Sequence, residues 1–220
     1  MIMKKLSFKE IEPILNKNIN KPFCEIFSKK ELNNAVENKG KSGTLLEKTL
    51  GLVSNASYLP DLIDMEIKTQ SKNESIAISM ISSHINNIMS NVSFVESWIY
   101  KKIKRMLFVK IDKNHIKEYW KYIYYKVIDL DEDADLFKRL EYEFNNIKRQ
   151  MIYLISKGEK LKTINGDYIT GLKSNAYLQI RTKDNKPYHP IRYNNIIISD
   201  KNYAFYFRNF FVREIIETSI

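Results

Sequence analysis

Cysteine occurs once in the 220 residues, at Cys24, which excludes an internal disulfide and a cysteine-based zinc site. Glycine and proline are scarce as well, at six and five residues, so collagen-like and low-complexity chains are excluded. Three of the glycines, Gly40, Gly43 and Gly51, crowd into one short segment, where another backbone or a ligand is expected to come close. The three histidines, His84, His115 and His189, share no ligand spacing. No run approaches the roughly 18 uninterrupted apolar residues of a membrane span. The opening Met1 to Pro13 goes from two lysines straight into an amphipathic pattern, without the apolar core of a signal peptide. These absences lead to the expectation of a cytoplasmic protein with no membrane association.

What is present is globular: 44% hydrophobic, 12% aromatic and 28% charged residues, enough to bury a sizeable core. Thirty-six Lys and Arg against 26 Asp and Glu give a formal net charge of +10. That excess points to a polyanion, either nucleic acid or an acidic membrane surface, although the lysine-heavy coding of an AT-rich genome gives the same number. No linker or repeat interrupts the chain. A single domain over 1–220 is expected, with 1–55 as a candidate N-terminal helical lobe.

Ser7 with Glu10, and Ser28 with Glu31, read as capping boxes, opening one helix through Leu15 and another through Val36. Gly43 to Leu50 reads as a third helix, with Leu45, Leu46 and Leu50 on its buried face and Glu47 as the polar exception. From Leu62 the period changes. Ile63, Met65 and Ile67 alternate with Asp64, Glu66 and Lys68, which predicts a strand with one apolar and one charged face. Ser75 to Ile81 alternates likewise and is expected to pair with it through a turn at Ser71-Lys72-Asn73. Further strands are expected at Arg105 to Ile111, Tyr119 to Leu130, Ala176 to Arg181 and Tyr203 to Phe207. Leu136, Phe137, Leu140, Phe144, Ile147, Met151 and Leu154 predict a long helix over 131–156, and a closing helix starts at Asn209. The order is that of a mixed α/β domain.

Pro60-Asp61 followed by Glu66-Ile67-Lys68 is the most informative local pattern. On a strand, Glu66 and Lys68 project from one face. With Asp61 at the strand entry, two carboxylates and the backbone carbonyl of Ile67 form a hard oxygen set suited to Mg²⁺, which keeps several of its waters. Metal-assisted phosphodiester hydrolysis follows from such a set, with Lys68 orienting the attacking water or stabilising developing negative charge. Taken alone, the pattern also reads as the solvated face of a strand. Two neighbours add weight to the chemical reading: the carboxylate Glu47 on an otherwise apolar helix face, and the basic run Lys101, Lys102, Lys104, Arg105.

At these residues the chain resembles the MutH-like endonuclease family, comprising the MutH mismatch-repair nickase and GATC-cutting type II restriction enzymes, within the PD-(D/E)xK nuclease superfamily. The resemblance is carried by blocks in order: Lys39 to Glu47 with Leu50-Gly51, Pro60 to Thr69, Lys102 to Val109, Ala176 to Lys183, and Phe205 to Phe210. It implies a restriction-endonuclease-like α/β fold, a mixed central sheet flanked by helices. It implies Asp61, Glu66 and Lys68 as the metal and catalytic set, Glu47 assisting at the metal, and Lys104 on the reacting phosphate or water. It further implies DNA contacts from Lys102 and Arg105 at the basic strand entry, and from Arg181, Lys183, Tyr206 and Arg208. Four residues separate Asp61 from Glu66, about two fewer than in MutH itself, a spacing similar to that of the monomeric MvaI–BcnI type of restriction enzyme. Asp64 is a competing carboxylate beside Glu66.

The expectation is a Mg²⁺-dependent, sequence-specific endonuclease of double-stranded DNA, a type II restriction enzyme cutting a short site such as GATC. A homodimer and a companion DNA methyltransferase belong to that expectation. A strand-nicking mismatch-repair enzyme and a non-catalytic DNA-binding domain of the same fold are its rivals.

Overall fold

The computed structural model describes residues 5–34, 41–52, 60–71, 74–113, 116–161, 163–164, 167–168, 175–183 and 186–217. Val36, Gly40, His115 and the expected turn at Lys72-Asn73 lie outside them.

The chain opens with α1 (Phe8–Asn18), α2 (Phe23–Ile26), α3 (Lys29–Asn34) and α4 (Lys41–Thr49). Both capping boxes form, with Glu10 Oε2 accepting the Ser7 N–H and Glu31 Oε2 accepting the Ser28 N–H, each at 2.7 Å. Then come β1 (Glu66–Gln70), β2 (Ile76–Met80), α5 (Ile85–Met89), α6 (Trp98–Ile103), β3 (Arg105–Asp112) and β4 (Lys121–Asp129). The 23-residue α7 (Ala134–Ser156) follows, with Asp133 Oδ1 accepting the Leu136 N–H at its start. The last third holds β5 (Thr163–Ile164), β6 (Asp167–Tyr168), β7 (Leu178–Thr182), β8 (Ile191–Tyr193), β9 (Ile196–Ser199), β10 (Tyr203–Phe207) and α8 (Asn209–Phe211), which runs on into a π-helical turn.

The described residues divide into two compact units, Met1–Lys72 with Lys102–Asp129, and Asn73–Lys101 with Leu130–Ile220. In the first, β1, β3 and β4 form a mixed sheet, β1 parallel to β3 and β3 antiparallel to β4. Ile67, Leu107, Val109, Ile111 and Tyr122 of this sheet share a core with Ile11, Leu15, Phe23, Leu46 and Leu50 of the helices. In the second, β2, β10 and β7 form an antiparallel sheet, and α7 packs on it, Phe144 lying 6.2 Å from Phe205. No described helix is long and apolar enough to cross a membrane.

Three expectations change. The segments 62–68 and 75–81 do not form a hairpin: β1 pairs with β3, while β2 pairs with β10 in the other unit. Burial follows the same division: Ile67 is buried with Leu107 in the core of the first unit, whereas Ile76 and Ile78 are buried on the strand beside Phe205 and Phe207 of β10. Nor does β1 have a solvated charged face, since Met65, Glu66 and Ile67 are all buried. The glycine crowding has a different cause from close approach. A Cβ at Gly43 or Gly51 would meet nothing within 4 Å, and Gly51 (φ +69°) ends α4 in the left-handed conformation.

Candidate metal and phosphate centre

The first unit gathers Asp61, Glu66, Ile67, Lys68 and Lys102. Asp61 sits on a short turn fixed from inside by Leu62 and Met65, both 0% exposed, with the Leu62 N–H donating to the Met65 carbonyl at 2.9 Å. The N-terminal segment clamps the same turn. Ile63 donates to the Leu6 carbonyl at 3.0 Å, and the Lys5 ammonium bonds the Pro60 carbonyl. Nothing in the sequence signals this clamp, because its partners are more than fifty residues apart and three of the four are main-chain atoms.

Asp61 Oδ2 accepts the Ile67 N–H at 3.0 Å. That bond also orients the Ile67 carbonyl. N–H and C=O of one strand residue point to the same side, so the carbonyl shares the edge of β1 that faces Asp61 rather than β3. Asp61 has its pKa raised above the ordinary value. Burial is the main cause and the charge of Glu66 the second; Lys68, the Ile67 N–H and Lys102 pull it down without prevailing.

Glu66 is 1% exposed. Its Oε1 accepts from the Lys68 ammonium, two residues along the same strand face, and from Lys102 Nζ at 3.0 Å. Its Oε2 is buried without a hydrogen-bond partner among the described residues. A buried carboxylate oxygen left open is costly unless something else fills its coordination. Gln70, 3% exposed, continues the face of Glu66 and Lys68, a position the sequence reading did not single out.

Glu47 is half-buried on α4, and the charged groups shifting Asp61 are Glu66, Lys68 and Lys102. Among the described residues no three His, Cys, Asp or Glu side chains group closely enough to hold a metal, so Glu47, Asp61 and Glu66 do not form a three-carboxylate set. Lys104 is exposed at the bend between α6 and β3; the lysine on Glu66 is Lys102, from the last turn of α6. Ile99 and Ile103, both 1% exposed and four apart, were the signal that this basic run is helical. Asp64 is taken up by Arg105, which also pairs with Asp129 at 3.2 Å. Arg105 is therefore braced by two carboxylates.

In the second unit, the Arg181 guanidinium and the Lys183 ammonium each stand 5.7 Å from the centre of the Tyr206 ring. Antiparallel pairing of β7 with β10, Arg181 opposite Ala204, brings them together. Arg208 donates from Nε to the Leu178 carbonyl at 3.4 Å, ahead of α8.

The oxygens of the first unit fit a hard divalent cation. Glu66 Oε2 is open, Asp61 keeps one oxygen beyond its bond to Ile67, and Mg²⁺ is commonly held by one or two carboxylates with water completing the shell. No family model matches the chain, and no curated protein matches it. Among solved structures, a complex of the restriction endonuclease MvaI with its cognate DNA substrate is similar, with TM-score 0.42 and 10% identity, over 91% of this chain and 90% of that one. Likeness so loose leaves the side chains of the two units to speak for their own chemistry.

Proposed function

We propose that the chain is a Mg²⁺-dependent endonuclease of double-stranded DNA, a type II restriction enzyme acting at a short site such as GATC. The observation that carries this reading is the buried Glu66 carboxylate, with Oε2 open, beside Asp61 and flanked by Lys68. Asp61, Glu66 and the Ile67 carbonyl are the residues that would hold Mg²⁺. The bound ion supplies positive charge that polarises a phosphodiester and makes water a better nucleophile. Lys68, on the face of Glu66, orients the attacking water or donates to a phosphoryl oxygen as negative charge builds. The clamp from Lys5 and Leu6 keeps Asp61 in register with the strand, and rigid placement of such groups is a large part of phosphoryl-transfer catalysis.

The excess of ten positive charges gives sequence-blind attraction to the phosphate backbone. Arg181, Lys183 and Tyr206 supply the types that read bases or position the duplex, since arginine bonds two guanine acceptors and an aromatic ring packs on a base or methyl group. By the resemblance to the MutH-like family, Lys102, Arg105 and Arg208 contact the DNA, Glu47 assists at the metal, and Lys104 contacts the reacting phosphate or water. One such centre cuts one strand, so a double-strand break needs a homodimer, sequential binding or a flip on the site, and a companion methyltransferase would protect the host's own sites.

Plasmid cleavage with Mg²⁺, compared between wild type and Asp61→Ala, tests the reading. Linear product from wild type and none from the variant supports it. Equal products from both, or none from either, overturns it. Nicked circles alone would favour the mismatch-repair type of enzyme, and DNA binding without any cut the non-catalytic domain.

A further inference from the structure

The carboxylate of Glu66 is served unequally. Oε1 faces two ammonium groups and Oε2 faces none among the described residues. Lys68 is fixed beside Glu66 on the same strand, whereas Lys102 arrives from α6 and makes the longer contact, 3.0 Å. Two carboxylates, Asp61 and Glu66, stand with two ammoniums, Lys68 and Lys102, so the formal charges of the centre already balance. Glu66 is 1% exposed, and water screens poorly there. A divalent cation held by Asp61 and Glu66 would bring two further positive charges against two ammoniums. One ammonium has to yield, and Lys102 is the one not tied to the strand.

We propose that Lys102 is an exchange residue: it neutralises Glu66 while the centre is metal-free, releases Glu66 Oε1 when a divalent cation is bound, and then turns its ammonium to the DNA phosphate. The inference rests on the reading of Asp61 and Glu66 as a Mg²⁺ site. It makes metal loading and phosphate binding cooperative through one side chain, each event freeing or occupying the group the other needs. Lys102 is thus a positioning residue, and it opposes metal binding when DNA is absent. A lysine that merely completes the fold would not do so.

The test is calorimetric titration of Mg²⁺, and of Mn²⁺, into the full chain stripped with EDTA and free of DNA. Lys102→Met is expected to bind either ion about tenfold more tightly than wild type, because a like charge beside the site is gone. Lys101→Met, one residue away and stacked over Trp98 rather than on Glu66, is expected to match wild type. DNA affinity of Lys102→Met measured in Ca²⁺ is expected to fall about tenfold, the loss of one desolvated phosphate contact. Should Lys102→Met not fold, Lys102→Gln serves, read as a larger rise in Tm on adding Mg²⁺ than wild type shows. Unchanged or weaker Mg²⁺ binding in the folded variant overturns the exchange role alone. Wild type that binds neither ion, or binds them equally well as Asp61→Asn, overturns the Mg²⁺ site and this inference with it.

Discussion

Among the described residues each unit buries one carboxylate almost completely, Glu66 at 1% exposure and Glu143 at 4%, and the two are treated in opposite ways. Glu143, on α7, has every direction filled. Its Oε1 accepts from Arg139 Nε at 3.2 Å and from the Tyr177 N–H at 3.0 Å; its Oε2 accepts from Tyr177 at 2.8 Å and Leu178 at 2.7 Å. Arg139 in turn lies 3.5 Å over the Tyr177 ring. This is a fastening that ties the start of β7 to α7. Glu66 has two cations on one oxygen and, among the described residues, no partner on the other. A satisfied buried carboxylate holds a fold together, and one with an open oxygen has capacity left for a ligand.

The same substitution separates the two. The smaller effect of Glu66→Gln is on stability: an oxygen remains for the lysines but the charge they pair with is gone, at a cost of about 1–3 kcal/mol. Cleavage should nevertheless fall by well over the roughly hundredfold typical of a supporting residue, because a ligand charge is gone. Glu143→Gln should do the reverse. Both of its oxygens accept backbone N–H groups, and an amide must point a donor at one of them, costing about 2–4 kcal/mol. Denaturant unfolding and plasmid cleavage on both variants check the pair. A Glu66→Gln protein that still cuts, or a Glu143→Gln protein as stable as wild type, would erase the distinction.

Mg²⁺ sharpens the contrast further. Ten millimolar-range Mg²⁺, well above an ordinary Kd for such a site, should raise the Tm of wild type by a few degrees through linkage, and should leave Glu66→Gln unmoved. Glu143→Gln should show the wild-type increment from a lower starting point. Thermal unfolding in EDTA and in Mg²⁺ provides the measurement, and an increment that survives in Glu66→Gln would put the ion elsewhere.

How much of this could be read from the chain follows from the same two residues. Glu66 was visible because charge alternates around it with a period of two, yet the alternation suggested a wet face. Its burial depends on the end of α6, and nothing local to 62–68 encodes that. Glu143 lies on the apolar stripe of α7 between Leu140 and Ile147, the same kind of signal that drew attention to Glu47 on α4. A carboxylate on an apolar face announces burial without saying whether its partners are backbone donors or a ligand. The long helix was legible because its apolar period matches its buried face, and the strand at 203–207, buried on both faces, because it is almost wholly aromatic. Pairing of β1 with β2 was misjudged because a short polar turn between two alternating segments is compatible with a hairpin and with a chain leaving for another sheet. In the basic run, Lys102 and Lys104 could not be told apart until Ile99 and Ile103 fixed the helical phase.

The smallest expected effect concerns Asp61, and its sign depends on pH. Burial and the Glu66 charge raise its folded pKa above the ordinary 3.8, so the fold prefers the protonated acid. The stability this contributes is complete below pH 3.8 and is lost as the pH rises through the raised folded value. As the pH rises, the metal-free protein loses that contribution and takes on a carboxylate charge at Asp61 that its surroundings disfavour. Asp61→Asn keeps an oxygen for the Ile67 N–H and removes that charge. In EDTA at pH 7 to 8 it should raise Tm by a few degrees, and below the model-compound pKa of a carboxylic acid the gain should vanish. In Mg²⁺ the ranking should invert, because only wild type gains the ion. Thermal unfolding of Asp61→Asn across that range, with and without Mg²⁺, decides the matter: a variant less stable than wild type in EDTA at neutral pH would mean that Asp61 is, like Glu143, a fastening.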